Sequence, residues 1–133
     1  MLESIGRYRL IQRIGAGGQA TVYSAEDTLL RRLVAVKVMN QLVSSDLQYA
    51  ETVLEEARFA SQLAHRNIAA VYDFIQEQDY VCIVMELIEN SVDKEIKKNG
   101  PYEVKDALNL AIQISSALRF AHSKRFVHRD IKP

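Results

Sequence analysis

The sequence predicts an α+β fold in which a five-stranded antiparallel sheet with one helix precedes a helical region. Segments with the alternating or β-branched pattern of strands dominate residues 8–87, where only one segment has helical periodicity. Beyond Asn99-Gly100-Pro101, a strong helix breaker, apolar residues recur at helical intervals instead. A run of strands followed by a run of helices is typical of the α+β class.

Five segments carry the strand pattern, and they are Tyr8–Ile14, Thr21–Ala25, Leu33–Met39, Ile68–Ile75 and Tyr80–Leu87. Glycines separate the first two segments, the polar segment 27–32 separates the second from the third, and the polar tip 76–79 separates the last two. Connections as short as these join antiparallel neighbours, because a parallel pair needs a much longer crossover.

Three segments are predicted to be helical. The first has Ser45 as its predicted N-cap and Asp46 near the positive end of the helix dipole. Its apolar residues recur at helical intervals, at Leu47, Ala50, Leu54, Ala57 and Ala64. The second is the short polar segment Val92–Lys98. The third has one apolar stripe at Ala107, Leu110, Ala111, Ile114, Ala117, Leu118 and Ala121, and a second stripe at Leu108 and Ile112. A helix that is apolar on two sides belongs inside a larger helical body.

Composition restricts the function classes. The chain has 133 residues, of which 48% are hydrophobic and 26% charged, as expected for a globular protein with a core. Its 17 basic and 17 acidic residues give zero formal charge, so we expect no nucleic-acid partner. Cys82 lies in an apolar run and is expected to be a reduced core residue, which favours a cytoplasmic location. No apolar stretch reaches the roughly 18 residues of a membrane span, and residues 1–4 lack the features of a signal peptide.

Three glycines, Gly15, Gly17 and Gly18, fall between the first two predicted strands. Glycines in such a turn let the backbone approach phosphate oxygens and direct N–H groups at them, but an ordinary glycine-rich hairpin has the same pattern. A Rossmann dinucleotide site is excluded because its glycines must open a helix, and a Walker loop is excluded by its different spacing. This segment alone leaves the phosphate site and the hairpin turn equally open.

Lys37 and the last six residues are the other candidates for chemistry. Lys37 follows Val34-Ala35-Val36 in the third predicted strand, so it either points to solvent on the alternate face or is held in a cleft for an anion. His128-Arg129-Asp130-Ile131-Lys132-Pro133 follows a long apolar helix and, taken alone, is compatible with an ordinary charged turn. Neither pattern decides the function by itself.

Taken in order, the glycine segment 15–22, Val34-Ala35-Val36-Lys37 and the segment 128–133 resemble the motifs of the protein-kinase family. Lys132, two residues after Asp130, matches the serine/threonine kinases, and Gly17–Tyr23 and Ile68–Phe74 look most like the bacterial branch. The resemblance implies a five-stranded small lobe with one helix and a helical large lobe. The implied boundaries are an N-terminal extension at 1–7, the small lobe at 8–87, a hinge at 88–91 and the start of an incomplete large lobe at 92–133.

The resemblance also implies an ATP site. Its binding residues would be Ile14, Gly15, Ala16, Gly17 and Gly18 in the glycine loop, Val22 and Ala35 against the adenine ring, Met85 as the gatekeeper, and the Glu86 carbonyl and Ile88 N–H at the adenine edge. Lys37 would contact the α- and β-phosphates and pair with a glutamate. We choose Glu56 over Glu55 because Glu56-Ala57 matches the Glu-Ala pair of the family. Ala20 replaces the third glycine of the family, which predicts a stiffer loop.

By the same resemblance, Asp130 would orient the substrate hydroxyl or accept its proton, and Lys132 would stabilise charge on the transferring phosphate. His128 is expected to be structural, and Arg129 to meet an activation-loop phosphate. The side chains that hold Mg²⁺ in this family would lie beyond Pro133. We therefore expect a truncated kinase domain whose 133 residues bind ATP but lack kinase activity by themselves.

The expected partners are ATP and a protein substrate with serine or threonine. Leu110, Ile114 and Leu118 of the last helix should lack packing partners, and this surface is expected to promote association. A non-catalytic regulatory or protein-binding module derived from a kinase small lobe is the alternative, and a split kinase completed by a separate chain makes the same sequence predictions. Lys37, Glu56 and Asp130 favour descent from an enzyme, because a scaffold has no chemical need for all three.

Overall fold

The computed structural model describes residues 3–18, 20–39, 47–77, 80–128 and 131, and of residues 47–50 the backbone only. Within these residues it contains one antiparallel sheet and three helices, which confirms the predicted α+β class. The strands are β1 (Ser4–Ile5), β2 (Tyr8–Ala16), β3 (Ala20–Asp27), β4 (Arg32–Met39), β5 (Val71–Gln76) and β6 (Val81–Met85). The helices are α1 (Leu47–Ser61), α2 (Val92–Asn99) and α3 (Val104–Ser123).

The strands lie in the order β1-β2-β3-β4-β6-β5, and every neighbouring pair is antiparallel. The five predicted strands are present, and the two-residue strand β1 adds a sixth. Ser4 of β1 pairs with Arg9, and Ile5 pairs with Tyr8. Ile5 and Tyr8 are both fully buried, so the chain before β2 contributes side chains to the core of the sheet.

Two predicted element boundaries are wrong by three residues, and the other strand ends by at most two. Strand β5 begins at Val71 and not at Ile68, because residues 65–68 form a turn in which the Ile68 N–H donates to the His65 carbonyl at 3.0 Å. In the same turn His65 Nδ1 accepts the N–H of Asn67 at 3.1 Å. Helix α1 ends at Ser61, so Ala64 lies beyond it. The predicted N-cap of α1, at residues 45–46, lies outside the described residues.

The chain divides into two compact units. The first consists of residues 1–62 and 70–87 and contains the sheet and α1. Its core has two apolar clusters of buried residues: Ile5, Tyr8, Ala25, Val34, Val36, Cys82 and Val84 form one, and Ala20, Met39, Val53, Ala57, Val81 and Ile83 form the other. The second cluster includes Val53 and Ala57 of α1, so the helix packs on one face of the sheet.

The second unit consists of residues 63–69 and 88–133 and contains α2 and α3. The segment 63–69 packs on α3, because the His65 ring lies 5.2 Å from the Phe120 ring and Asn67 Nδ2 donates to the Gln113 carbonyl at 3.3 Å. Among the described residues, no helix has both the length and the apolar character needed to cross a membrane.

Candidate active site

The turn between β2 and β3 contains the predicted glycines. The Gly17 N–H donates to the Ala20 carbonyl at 2.9 Å and closes the turn. Gly15, Gly17 and Gly18 do not have positive φ, and an added Cβ would meet at most ordinary contacts, such as Val22 Cβ at 3.8 Å from Gly15. The backbone and packing of the chain therefore do not require glycine at these positions. A side chain at Gly18 would extend into open space beside the turn.

Ala20 stands where the kinase pattern has a third glycine, and the structure gives its methyl group a separate role. Ala20 is buried and belongs to the apolar cluster that includes Met39 of β4 and Val53 of α1. The methyl group therefore contributes to the packing between the sheet and the helix.

Val22, Ala35 and Lys37 share one face of the sheet. Val22 is the direct cross-strand partner of Lys37, and Ala35 lies two residues before Lys37 on β4, so the three side chains leave the sheet on the same side. Ala20 and Met39 are the next cross-strand pair on that face, and they are the residues that pack with α1. Ala35 is buried, whereas Val22 and Lys37 are half-buried. An ammonium group thus extends from an apolar sheet face close to the glycine turn.

Lys37 forms no ion pair with Glu55 or Glu56 in the described part of the chain. Both glutamates are exposed, and Glu55 Oε1 instead lies 3.9 Å from Arg58 Nη1. The sheet-facing stripe of α1 runs through Val53 and Ala57. Helical geometry sets Glu56 roughly a quarter turn from this stripe and Glu55 on the opposite side of the helix. Of the two glutamates, Glu56 is therefore the one on the flank of the sheet-facing surface.

The residues predicted to lie at the adenine edge follow the end of β6 and lead into the hinge predicted at 88–91. Met85 is the cross-strand partner of Ala35 on one side and of Val71 on the other, and it packs against the cluster beneath α1. Glu86 follows as a half-buried residue whose N–H donates to the Ala70 carbonyl at 2.8 Å and whose Oε2 accepts the Ala70 N–H at 3.1 Å. Ile88 is exposed and belongs to the second unit.

The catalytic candidates Asp130 and Lys132 lie outside the described residues, as does Arg129. His128 is described and exposed. Within the described residues there is no group of three histidine, cysteine or acidic side chains able to hold a metal ion. The structure therefore describes the nucleotide-side candidates, and the roles of Asp130 and Lys132 stay predictions.

A polar cluster that the sequence did not reveal joins Arg7, Asp27 and Asp73, which come from three segments of the first unit. Asp27 is fully buried, and its Oδ1 accepts the N–H groups of Leu29 and Leu30 and lies 3.2 Å from Arg7 Nε. Burial alone would raise the pKa of Asp27, but the Leu30 N–H, the Arg7 guanidinium and the Leu29 N–H together hold that pKa below its usual value. No role was predicted for Asp27, because the sequence pattern gives no sign that a polar residue at the end of a strand is buried.

Two further groups in the first unit have raised pKa values. Burial and a 2.8 Å hydrogen bond from the Tyr8 hydroxyl to Asp73 Oδ2 raise the pKa of Tyr8 to about 12. Burial, assisted by the charge of Glu77, raises the pKa of Cys82 to about 12. Cys82 is thus an unreactive core thiol rather than a nucleophile.

Comparisons with known proteins agree with the motifs. A family model described as the protein kinase domain matches residues 8–133. The chain is 46% identical over 129 residues to the serine/threonine-protein kinase PrkC of Bacillus subtilis, covering 96% of this chain and 20% of PrkC. It is 38% identical over 130 residues to the serine/threonine-protein kinase PknE of Mycobacterium tuberculosis, covering 96% of this chain and 23% of PknE. The chain spans about a fifth of the length of these curated relatives.

A solved structure supports the fold independently. The crystal structure of the Mycobacterium tuberculosis PknI kinase domain, C20A mutant, superposes with a TM-score of 0.83 at 21% identity, covering 100% of this chain and 56% of that one. At this identity the likeness concerns the fold. Together with the family match and the sequence relatives, it shows that the chain belongs to the protein kinase domain family, in its bacterial serine/threonine branch.

Proposed function

We propose that this chain is the ATP-binding part of a serine/threonine protein kinase, which transfers the γ-phosphoryl group of ATP to serine and threonine hydroxyls of proteins. The observation that carries the proposal is the shared face of Val22, Ala35 and Lys37 beside a turn whose glycines the fold itself does not require. A small apolar surface suits the flat adenine ring, and a lysine with turn N–H groups suits the phosphates.

In this proposal each part of the face has one task. The turn from Gly15 to Gly18 lets phosphate oxygens approach its backbone, and Val22 and Ala35 pack on the adenine ring. The proposed task of Lys37 is to bind the α- and β-phosphates. Just before the hinge, the Glu86 carbonyl accepts a hydrogen bond from adenine. Phosphoryl transfer itself needs the proposed roles of Asp130 and Lys132, together with Mg²⁺, which neutralises charge on the phosphates.

Nucleotide binding tests the proposal directly. Lys37→Met should weaken ATP binding to the 133-residue chain by about tenfold or more, because a charge-assisted contact to phosphate is lost. Lys98→Met is the matched control, since Lys98 is exposed in the last turn of α2. Isothermal titration calorimetry with ATP, with and without Mg²⁺, measures both variants. Equal affinity of the wild type and Lys37→Met would contradict the proposed role of Lys37.

We propose Glu56 as the partner of Lys37 in the active kinase, although the two side chains are not paired in this structure. The support is the position of the two glutamates on α1: Glu56 lies on the flank of the sheet-facing stripe, whereas Glu55 lies on the opposite side of the helix. In a complete kinase domain, Glu56→Ala should therefore reduce turnover by orders of magnitude while Glu55→Ala leaves it nearly unchanged. The reverse result in a phosphotransfer assay would reassign the pair to Glu55.

The 133-residue polypeptide by itself is proposed to bind nucleotide weakly and to be inactive. The kinase resemblance assigns Mg²⁺ binding to side chains that are not among these residues, so the developing charge on the phosphates would not be neutralised. Purified chain should give no steady phosphorylation of a generic protein substrate. ATP-dependent phosphorylation that disappears in Asp130→Asn would contradict this proposal. A cytoplasmic location is proposed on the reduced, buried state of Cys82.

A second candidate function is a protein-binding module, and an observation on α3 favours it. Val104, Leu108 and Ile112 lie four residues apart on one side of α3 and are exposed in the described structure. An apolar stripe of this kind is typical of a surface that associates with another polypeptide or with further parts of a longer protein. A Lys37→Met variant that keeps full cellular function would favour the binding module over the kinase.

A further inference from the structure

The ladder between β5 and β6 ends in an unusual hydrogen-bond exchange at Glu86. Val71 and Met85 are the last paired residues of this ladder, so Ala70 and Glu86 are the next pair in register. In a regular antiparallel ladder these two residues would exchange two main-chain hydrogen bonds. The first is made, since the Glu86 N–H donates to the Ala70 carbonyl at 2.8 Å. The second is replaced, because the Ala70 N–H donates at 3.1 Å to the carboxylate Oε2 of Glu86.

This replacement takes away the hydrogen-bond donor that the ladder would give to the Glu86 main-chain carbonyl. The carboxylate takes the donor that the ladder would otherwise bring to the carbonyl. The Ala70 N–H, which the ladder register would bring to the Glu86 carbonyl oxygen, is thus bonded to the side chain instead. Main-chain carbonyls away from bulk water nearly always have a donor, and Glu86 is half-buried. The carbonyl therefore needs a donor other than the Ala70 N–H, and a ligand can supply one.

We propose that the Glu86 carboxylate is a positioning group that holds the Ala70 N–H and so reserves the Glu86 carbonyl for the amino group of adenine. This inference rests on the proposed nucleotide site and adds a determinant of base selectivity to it. The 6-amino group of adenine is a donor that satisfies the carbonyl. The 6-oxo group of guanine is an acceptor, so it would leave two oxygens facing each other without a proton between them.

The side chain matters because the Ala70 N–H needs an acceptor in every state of the protein. If the carboxylate is removed, the acceptor that the ladder register offers is the Glu86 carbonyl itself. The carbonyl would then be occupied by the protein and would no longer distinguish a 6-amino from a 6-oxo purine. Glu86→Gln keeps an oxygen at the end of a side chain of equal length, whereas Glu86→Met keeps the length and removes the acceptor.

Selectivity between ATP and GTP is the first readout. Dissociation constants of both nucleotides are measured for the wild type, Glu86→Gln and Glu86→Met, after circular dichroism has shown that each variant is folded. The preference for ATP over GTP should stay within about twofold of wild type in Glu86→Gln and fall about tenfold in Glu86→Met. If Glu86 had a purely structural role, Glu86→Met would weaken the binding of ATP and GTP equally. An unchanged ratio of their dissociation constants would therefore overturn the inference. An equal loss of preference in Glu86→Gln and Glu86→Met would also overturn it.

The second readout needs no nucleotide and no variant. Couplings transmitted across hydrogen bonds, measured by a long-range HNCO-type experiment on labelled wild-type chain, identify the acceptor of the Ala70 N–H. A correlation from the Ala70 nitrogen to Glu86 Cδ is the expected result, and one to the main-chain carbonyl carbon of Glu86 would overturn the inference even if ATP binds. Failure of the wild type to bind either nucleotide, in contrast, would refute the proposed function, and the selective role of Glu86 with it.

Discussion

The hydroxyl of Tyr8 offers the sharpest test of the energetics of the first unit. Tyr8 is 1% exposed, and its hydroxyl donates to Asp73 Oδ2 at 2.8 Å. Tyr8→Phe removes only this oxygen, so the ring keeps its place in the core. A hydrogen bond to a charged acceptor contributes about 1.5–3 kcal/mol. Because the Asp73 side chain is 34% exposed and can bind water instead, we expect a loss near the lower end, about 1.5 kcal/mol at pH 7.

The raised pKa of Tyr8 adds a dependence on pH with a defined sign. The folded protein holds the phenol proton up to a pKa of about 12, whereas an unfolded chain releases it near pH 10. The stabilisation is fully present below pH 10 and is lost as the pH rises toward 12. One pH unit above the unfolded pKa, at pH 11, the wild type should have lost about 1.4 kcal/mol that Tyr8→Phe cannot lose.

Urea unfolding followed by circular dichroism at pH 8 and pH 11 measures both effects. Titration of other groups changes both proteins, so the difference between wild type and Tyr8→Phe isolates Tyr8. Tyr72→Phe is the matched control, because Tyr72 is 38% exposed and its ring lies against the Arg32 guanidinium at 3.8 Å. It should stay within about 0.5 kcal/mol of wild type. A Tyr8→Phe variant as stable as wild type at pH 8, with no change in the difference at pH 11, would refute the reasoning.

Three further predictions concern the core of the first unit. The pKa of Asp27 is lowered in the fold, so the stabilisation by its carboxylate is present above the usual carboxyl pKa and is lost in acid. Asp27→Asn should therefore have a lower free energy of unfolding than wild type at pH 7. Urea titrations should show this gap in free energy closing below about pH 4. A gap that does not narrow as the pH falls below about 4 would contradict this. Val84→Ala should lower the free energy of unfolding by about 2 kcal/mol in the same urea assay, because Val84 is fully buried. The control is Val104→Ala, which should change this free energy by less than about 0.5 kcal/mol because Val104 is exposed. Cys82 should react with iodoacetamide at pH 8 at least about a hundredfold more slowly in the native chain than in urea, because it is buried and its pKa is about 12. Mass spectrometry measures both reaction rates, and equal rates would rule out a buried thiol.

Hydrophobic periodicity predicted the type and order of the long elements, since a strand or helix that packs on a core must repeat its apolar residues. It failed where local hydrogen bonds decide the backbone. Ile68 has a strand-like side chain, but its N–H is bonded to the His65 carbonyl, which ends any extended conformation there. Strand β1, at Ser4–Ile5, has only two residues, which is too short to show a hydrophobic period.

The candidate site was predictable to the extent that it depends on strand register. Val22 and Lys37 lie on one face because the spacing along two antiparallel strands puts them there. Whether Lys37 pairs with Glu56 depends on side-chain distances across two elements, which no sequence pattern specifies. The carboxylate of Glu86 was missed for a related reason: only its main chain was expected to act, and the acceptor that its side chain provides for Ala70 appears only in the folded ladder.

The short first strand sets a practical limit on how the polypeptide can be shortened. Ile5 has no exposed surface, and together with Tyr8 it fills part of the cluster that also contains Val84. The Leu10 N–H, moreover, donates to the Glu3 carbonyl at 3.0 Å, so the register of the chain is already fixed at Glu3. A fragment designed for crystallisation or labelling that starts at Tyr8, where the kinase motif begins, would leave a hole where Ile5 sits. Affinity tags and cleavage sites should therefore be placed ahead of Glu3.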